Sequence, residues 1–390
     1  MVKPFQFARL PLIIFGTGKL TRLPGLIKTY GTKIILITGN NPLLHSPAFR
    51  NLAGMFEESG VEHHDISISG EPSPAMIDEP VKKLRKIRVS VVVGIGGGSV
   101  LDAGKAISAM MYREESVKEF LEGIGTMNHP GTKIPFIAIP TTSGTGSEAT
   151  KNAVISEVGQ NGFKKSLRHD NFVPDIALVD PELTITCSPE VTAAGGMDCF
   201  TQLIEAYLSD KANEYTDALA WEGLKAIKSS LMKSYEDGND KEARSGMSFA
   251  ALTSGICLAN AGLGVVHGFA SSVGGLFQIP HGVVCGSLMA KSNFVTVRAL
   301  RKKGNNFNAL WKYSRLGRLF LEEENRSDDF YVDGFLDYLK KISHDLNLPA
   351  LKHYGISNDD LERISSITEM KNNPVKLDLD EVIEIIADQI

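Results

Sequence analysis

Four short apolar runs in the first 180 residues constrain the fold most strongly. They lie at residues 34–37, 89–95, 134–139 and 176–179. Strands without alternation between apolar and polar residues are typical of a parallel sheet that is covered on both faces. Helical patterns at 48–59 and 77–86 separate the first runs, and the order of strand and helix predicts βαβ units. A further apolar run before Gly16 is interpreted as a first strand, because it lacks the cleavage site of a signal peptide.

The pattern changes after Asp180-Pro181, where long helices replace the strands. Ser188 before Pro189 is typical of a helix start. The sequence therefore predicts an α/β domain over residues 1–182 and an all-α domain over residues 183–390. Apolar residues recur at helical spacing over residues 197–208, 215–234, 243–261 and 330–346.

Composition excludes several classes of protein. The 41 lysines and arginines against 46 acidic residues give a net charge of −5, which argues against a basic nucleic-acid binder. No run approaches the roughly 18 apolar residues of a membrane span. From the charge and the lack of a long apolar run, we expect neither a nucleic acid nor a membrane as partner. Because no two cysteines form a CxxC pair, we expect free thiols in a reducing cytoplasm. The four cysteines are Cys187, Cys199, Cys257 and Cys285.

Two glycine-rich segments follow the strongest predicted strands. The first runs from Gly94 to Ser99 and leads into a helix that contains Asp102. Glycines there allow a phosphate to approach the backbone and the free N–H groups of the helix start. The second, at 140–148, is rich in hydroxyl groups that suit phosphate, ribose or a carboxamide. Both also fit simpler roles, as a tight turn or as a polar loop with a helix cap, but their positions favour dinucleotide binding in the α/β domain.

The segment after the second predicted strand bears on the choice of cofactor. It reads Thr38-Gly39-Asn40-Asn41 and contains no acidic residue. An acidic residue at this place often binds the ribose 2′-hydroxyl of NAD. Its absence leaves nothing to repel a 2′-phosphate and favours NADP over NAD.

A metal site is expected in the helical half. Asp198, His267 and His281 each lie beside glycine or in an apolar helical stretch, where a charged or imidazole group needs a partner. Each alone is more often a structural residue. Together one carboxylate and two imidazoles make the three ligands of a catalytic divalent metal, with a position left for substrate oxygen.

The motifs taken in order resemble the iron-containing alcohol dehydrogenase family, within the dehydroquinate synthase-like superfamily. The resemblance implies an N-terminal dinucleotide-binding α/β domain, an all-α C-terminal domain and an active site between them. The similar stretches are FGTG (15–18), GGGSVLDAGKAI (96–107), PTTSGTGSEAT (140–150), VDPELT (179–184), GGMDCFTQLIEAY (195–207), NAGLGVVHGFASSVGG (260–275) and PHGV (280–283).

The resemblance also assigns roles to individual residues. Gly39 stands where members that prefer NAD carry an acidic residue. The family pattern implies catalytic metal ligands at Asp198, His267 and His281. The residues expected to contact the cofactor are Gly97, Gly98, Ser99, Asp102, Thr141, Thr142, Ser147 and Lys164.

This chain departs from the family pattern at two positions. Gln202 replaces a histidine ligand four residues after Asp198, so zinc is expected before iron, although either fits as the single divalent metal. Ser271 replaces a second histidine near the substrate and removes one candidate proton relay.

The expected reaction is hydride transfer between nicotinamide and an alcohol or carbonyl carbon. The substrate is a small alcohol or aldehyde, or a polyol or sugar acid, and the family is often dimeric. A lyase similar to dehydroquinate synthase and a metal-free binding protein on the same fold remain alternatives. The candidate substrate residues are Lys151, Asn152, Gln202, Leu258 and Ser271.

Overall fold

The N-terminal half is built around one parallel sheet. The computed structural model describes residues 2, 4–39, 47–304 and 306–390. Six strands lie in the order β1-β8-β5-β4-β2-β3, and every neighbouring pair is parallel. These strands are β1 (Leu12–Phe15), β2 (Lys33–Gly39), β3 (Glu62–Ile68), β4 (Val91–Gly96), β5 (Phe136–Pro140) and β8 (Ile176–Val179).

The helices on the two faces of the sheet explain the unbroken apolar strands. Every residue of β4, β5 and β8 is buried, as a sheet covered on both faces requires. The helices of this half are α1 (Leu23–Lys28), α2 (Pro47–Ser59), α3 (Pro74–Leu84) and α4 (Gly98–Met110). One apolar cluster joins β2 and β4 to α3 and α4, and a second joins β2 and β4 to α1 and α2.

The second half is helical, as the sequence predicts, and its first long helix, α5 (Pro189–Leu208), runs through its centre. The Ser188 hydroxyl accepts the backbone N–H of Val191 and so caps α5 at the expected place. After the last strand the described residues form the α-helices α5 (Pro189–Leu208), α6 (Glu214–Glu236), α7 (Lys241–Ala261), α8 (Val265–Leu276), α9 (His281–Lys303), α10 (Phe307–Phe320), α11 (Asp328–Asp345), α12 (Leu361–Ile367) and α13 (Leu379–Ala387).

Three features of the α/β half differ from the sequence-based expectation. The edge strand β3 and the antiparallel hairpin of β6 (Asn152–Glu157) and β7 (Phe163–Arg168) were not predicted. The predicted strand at 89–95 already contains Gly94, and β4 extends one residue further to include Gly96, so less of the first glycine-rich segment is turn than expected. A Cβ atom at Gly94 would lie 3.1 Å from the Phe136 ring, so this glycine serves close packing.

No single helix among the described residues is long and apolar enough to cross a membrane. Helices α7 and α8 meet the test of length and composition only as a pair that bends by 98° at the break between them. Most of their side chains are buried among the other helices of this half.

Candidate functional site

Three helices bring four potential metal ligands together. Asp198 comes from α5, His267 from α8, and both His281 and Cys285 from α9. One ligand atom of each lies within 4.8 Å of all the others. Asp198 Oδ1 is 3.2 Å from His267 Nε2 and 3.5 Å from His281 Nε2. The three residues that the sequence analysis selected are therefore neighbours, and Cys285, which it treated only as a free thiol, joins them.

Glycines allow the close helix approach that this cluster needs. A Cβ atom at Gly282 would lie 2.2 Å from the Ala194 carbonyl oxygen, and one at Gly286 would lie 2.9 Å from the Met197 Cβ. Any side chain at either position would push α9 away from α5. The two glycines thus hold His281 against Asp198.

Glu205 contacts Nδ1 of His267, the ring nitrogen that does not face Asp198. Its Oε2 lies 2.7 Å from Nδ1 of His267, and its Oε1 accepts the backbone N–H of Val266 at 2.7 Å. In the neutral ring that a metal would bind, an Nδ1–H donated to the carboxylate leaves the Nε2 lone pair directed at the cluster. Glu205 was not predicted from the sequence, although its position seven residues after Asp198 places both on one face of α5.

The electrostatics of the cluster fit a bound cation. Burial alone would raise the pKa of Asp198, but His281 and His267 outweigh it and lower this pKa to about 2. Burial lowers the pKa of His281 to about 4, against the attraction of Asp198. Burial alone would lower the pKa of His267, but Cys285, Asp198 and Glu205 outweigh it and raise this pKa well above its usual range. The metal-free cluster therefore holds a proton on His267, which a divalent metal would displace. Among the described residues, the buried Nδ1 of His281 has no hydrogen-bond partner.

Gln202 is hydrogen-bonded beside the cluster and is 2% exposed. Its Nε2 donates to Asp198 Oδ1 at 3.3 Å, and its Oε1 accepts the Ser254 hydroxyl at 3.1 Å. The amide thus orients the aspartate and has its oxygen turned toward α7.

Most of the expected cofactor residues lie along one edge of the sheet. Gly39 ends β2, the turn at Gly97 follows β4, and the second glycine-rich segment follows β5, on three adjacent strands. A Cβ atom at Gly97 would lie 3.2 Å from Thr142 Oγ1, and one at Gly98 would lie 2.7 Å from the Thr145 side chain. The two segments are therefore in contact, beside the free N–H groups at the start of α4. Asn40 and Asn41 lie outside the described residues.

Asp102 and Ser147 are joined by a hydrogen bond. The Ser147 hydroxyl donates to Asp102 Oδ1 at 2.5 Å, and the backbone N–H of Val154 donates to Oδ2 at 3.0 Å. The ammonium of Lys105, whose side chain is fully buried, lies 2.9 Å from the same carboxylate. Asp102 thus connects α4, the second glycine-rich segment and β6. Of the other cofactor candidates in these segments, Ser99 lies in the first turn of α4 and Thr141 directly follows β5.

The hairpin carries the two lysines that the sequence analysis selected near the active site. Lys164, on β7, forms an ion pair with Glu71, and its aliphatic chain packs against Gly274 of α8. Lys151, beside β6, forms an ion pair with Asp170 at 2.6 Å. The carbonyl of Asn152 accepts a hydrogen bond from Lys105.

The remaining candidate substrate residues lie in the helical half. Leu258 is partly buried against the helical core. The Ser271 hydroxyl donates to the carbonyl of His267 at 3.0 Å. Lys371, which the sequence analysis missed, donates to the same carbonyl at 2.9 Å and lies 3.5 Å from the Ser271 hydroxyl.

Comparison with protein families gives two matches that together span most of the chain. Residues 11–181 match the model described as iron-containing alcohol dehydrogenase. Residues 192–390 match that of the C-terminal region of the Fe-containing alcohol dehydrogenase family.

The similarity to individual relatives extends over most of this chain and most of each relative. An NADPH-dependent butanol dehydrogenase of Clostridium saccharobutylicum is 30% identical, over 96% of this chain and 95% of the relative. An NAD-dependent methanol dehydrogenase of Bacillus methanolicus is 33% identical over 68% of this chain and 70% of the relative. The crystal structure of a 1,3-propanediol oxidoreductase superposes with a TM-score of 0.88 at 26% identity and covers all of both chains.

Proposed function

This chain belongs to the iron-containing alcohol dehydrogenase family, and on that basis we propose that it transfers hydride reversibly between NADP and a small alcohol or aldehyde. It is an NAD(P)-dependent oxidoreductase that acts on alcohols. The observation that carries the proposal is the convergence of Asp198, His267 and His281 from three helices within 4.8 Å.

Asp198, His267 and His281 would hold the divalent metal, zinc or iron. When bound, such an ion acts as a Lewis acid that polarises the substrate oxygen and favours the alkoxide at neutral pH. Glu205 fixes the tautomer of His267, and Gln202 orients Asp198. These two residues keep the donor atoms directed at one point, so that the site is organised before substrate arrives.

NADP would lie along the edge of the sheet formed by the ends of β2, β4 and β5. The backbone of Gly97, Gly98 and Ser99 and the start of α4 suit the pyrophosphate. Thr141, Thr142 and Lys164 would line the rest of the cofactor, and Asp102 would position Ser147. Gly39 places no negative charge where the 2′-phosphate of NADP would lie.

The substrate we infer is a small, uncharged alcohol or aldehyde. The relatives named above act on butanol and methanol, and Leu258 offers an apolar contact in this chain. Lys151 is already paired with Asp170, so it offers little to an anionic substrate. Oxidation of the alcohol transfers two electrons as hydride to the nicotinamide and releases the hydroxyl proton.

The test combines metal analysis with a balance of cofactor and product. Protein purified without chelators should contain about one zinc or iron per chain and should consume NADPH in equal amount to the alcohol formed from straight-chain aldehydes. A lyase similar to dehydroquinate synthase would turn over without net oxidation of NADPH. A binding protein would retain no metal even after reconstitution. Either result would overturn the proposal.

Variants of the ligands localise the site. Asp198→Asn and His267→Ala should lose metal and turnover while they keep the circular dichroism spectrum of the parent. His353→Ala, which removes an exposed histidine, is the control and should leave both unchanged. Full activity in either ligand variant would mean that the metal binds elsewhere.

A further inference from the structure

We propose that Cys285 is the fourth protein ligand of the metal, in place of the histidine absent at position 202, and that its thiolate makes the centre selective for zinc. This inference rests on the metal-dependent function proposed above. Cys285 is not among the ligands that the resemblance to the family implies, which are Asp198, His267 and His281.

The distances within the cluster fit a mixed tetrahedral site. Cys285 Sγ is 3.7 Å from Nε2 of His267 and 3.7 Å from Nε2 of His281. Zinc–nitrogen bonds of about 2.0–2.1 Å and a zinc–sulfur bond of about 2.3 Å give tetrahedral ligand separations of about 3.3–3.6 Å. Both imidazoles approach Asp198 Oδ1 at 3.2–3.5 Å as well. Four of the six separations are therefore already close to those of a zinc site.

The local structure directs the thiol into the cluster. Cys285 follows His281 by four residues on α9, so the two side chains share one face of the helix. The thiol is fully buried, and the polar contacts of its sulfur within the described residues are the two imidazole nitrogens. The neighbouring Gly286 keeps α9 close to Met197 on α5, one residue from Asp198.

Gln202 is not positioned to be the fourth metal ligand. Its side chain is hydrogen-bonded to Asp198 and Ser254, and its oxygen accepts the serine hydroxyl. An amide is also a weaker ligand for a transition metal than a thiolate. A divalent metal deprotonates a coordinating thiol, so carboxylate and thiolate together would balance its charge.

The thiolate sets the metal preference. Imidazole and carboxylate ligands accept iron, manganese or zinc, whereas a soft thiolate favours zinc. His281, at 26% side-chain exposure, is the most accessible of the four residues, since Asp198 and His267 are at 2% and 5% and Cys285 is fully buried. The substrate would therefore approach from the side of His281, and its oxygen would be a fifth ligand, a coordination number that catalytic zinc can reach.

Cobalt provides a direct readout of the sulfur ligand. Metal-free full-length protein is reconstituted with Co²⁺, and its absorption spectrum is compared with those of Cys285→Ser and Cys285→Ala. We expect a thiolate-to-cobalt charge-transfer band in the parent that is lost in both variants. X-ray absorption of the zinc form should show one sulfur neighbour at about 2.3 Å, and the variants should bind zinc at least about tenfold more weakly.

Cys257→Ala is the matched control. Cys257 is also fully buried, but it lies on α7 with its thiol directed at the Thr216 carbonyl, 3.7 Å away. This variant should keep the band. The parent spectra remain decisive if a Cys285 variant fails to fold.

The possible outcomes separate the two proposals. A parent that binds one metal without the charge-transfer band overturns the thiolate ligand and leaves the proposed dehydrogenase function standing. A parent that binds no divalent metal overturns both. Equal zinc affinity in Cys285→Ser and the parent would also overturn the ligand role.

Discussion

Oε2 of Glu205 lies 2.7 Å from Nδ1 of His267, and both residues are at least nine-tenths buried. Glu205 is two helical turns from Asp198 on α5, so one helix supplies both a metal-ligand candidate and the group that orients a second one. The relative position of Asp198 and His267 is thereby tied to the geometry of a single rigid helix.

Glu205→Gln tests this arrangement. A glutamine offers one oxygen acceptor in place of the two carboxylate oxygens that now hold Val266 and His267. We expect zinc affinity to fall by about 10–100-fold, as for other partners of metal-bound histidine. Competition with a fluorescent zinc chelator measures this loss. Glu190→Gln, at the exposed start of α5, is the control, and unchanged affinity in Glu205→Gln would refute the supporting role.

Gly39→Asp tests the cofactor preference. The new carboxylate would repel the 2′-phosphate of NADP and accept the ribose hydroxyl of NAD, so the ratio of kcat/KM for NADP over NAD should fall by about tenfold or more. The new Cβ atom would lie 3.2 Å from Val100, so Gly39→Ala is needed to separate crowding from charge. Gly39→Ala should keep the ratio. If the aspartate variant keeps it too, the lack of an acid at this position does not select NADP.

The central strands could be predicted because a strand that is buried on both faces has apolar residues at successive positions. β2, β4, β5 and β8 are apolar throughout their interior, and all four lie where the sequence places them, within two residues. β3 contains His63, His64 and Asp65 at the edge of the sheet, where one side faces solvent, so the composition gave no strand signal. The hairpin of β6 and β7 mixes buried apolar residues with polar ones over six residues in each strand, so neither strand forms an unbroken apolar run.

The cluster of ligands was only partly visible in the sequence. Asp198, His267 and His281 stand out because a charged or imidazole group in an apolar helix needs a partner. Cys285 does not, since a buried cysteine is ordinary in a core. Its spacing of four residues from His281 was the available signal. Lys371 comes from the C-terminal segment, and only the folded chain brings it to the carbonyl of His267.

Asp102→Asn tests the role of the carboxylate beside Lys105. The lysine is fully buried 2.9 Å from Asp102, and loss of this charge removes its nearest counter-ion. Breaking a buried ion pair on one side costs about 3–5 kcal/mol in the free energy of unfolding. The double variant Asp102→Asn/Lys105→Met should recover at least half of the loss, because no buried cation remains. Urea unfolding of the metal-free protein measures both.

The exposed pair of Glu222 and Lys225 provides the control for this cycle. Glu222→Gln should change the free energy of unfolding by less than about 0.5 kcal/mol. A comparably small effect of Asp102→Asn would show that the carboxylate does not stabilise the buried ammonium.

Because His129 is buried, the free energy of unfolding should decrease as the pH falls below 6.5. Its ring is 8% exposed between Phe120 and Phe172, with Nδ1 accepting the backbone N–H of Gly131 at 3.0 Å. Burial lowers its pKa from 6.5 to about 4, so between these values the unfolded chain binds a proton that the folded chain does not. The loss should reach about 1–2 kcal/mol at about pH 5. In His129→Asn, which keeps an acceptor but does not titrate, urea unfolding at pH 7 and pH 5 should show a correspondingly smaller decrease, whereas exposed His353→Asn should follow the parent. Equal pH dependence in His129→Asn and the parent would mean that this histidine is not held neutral.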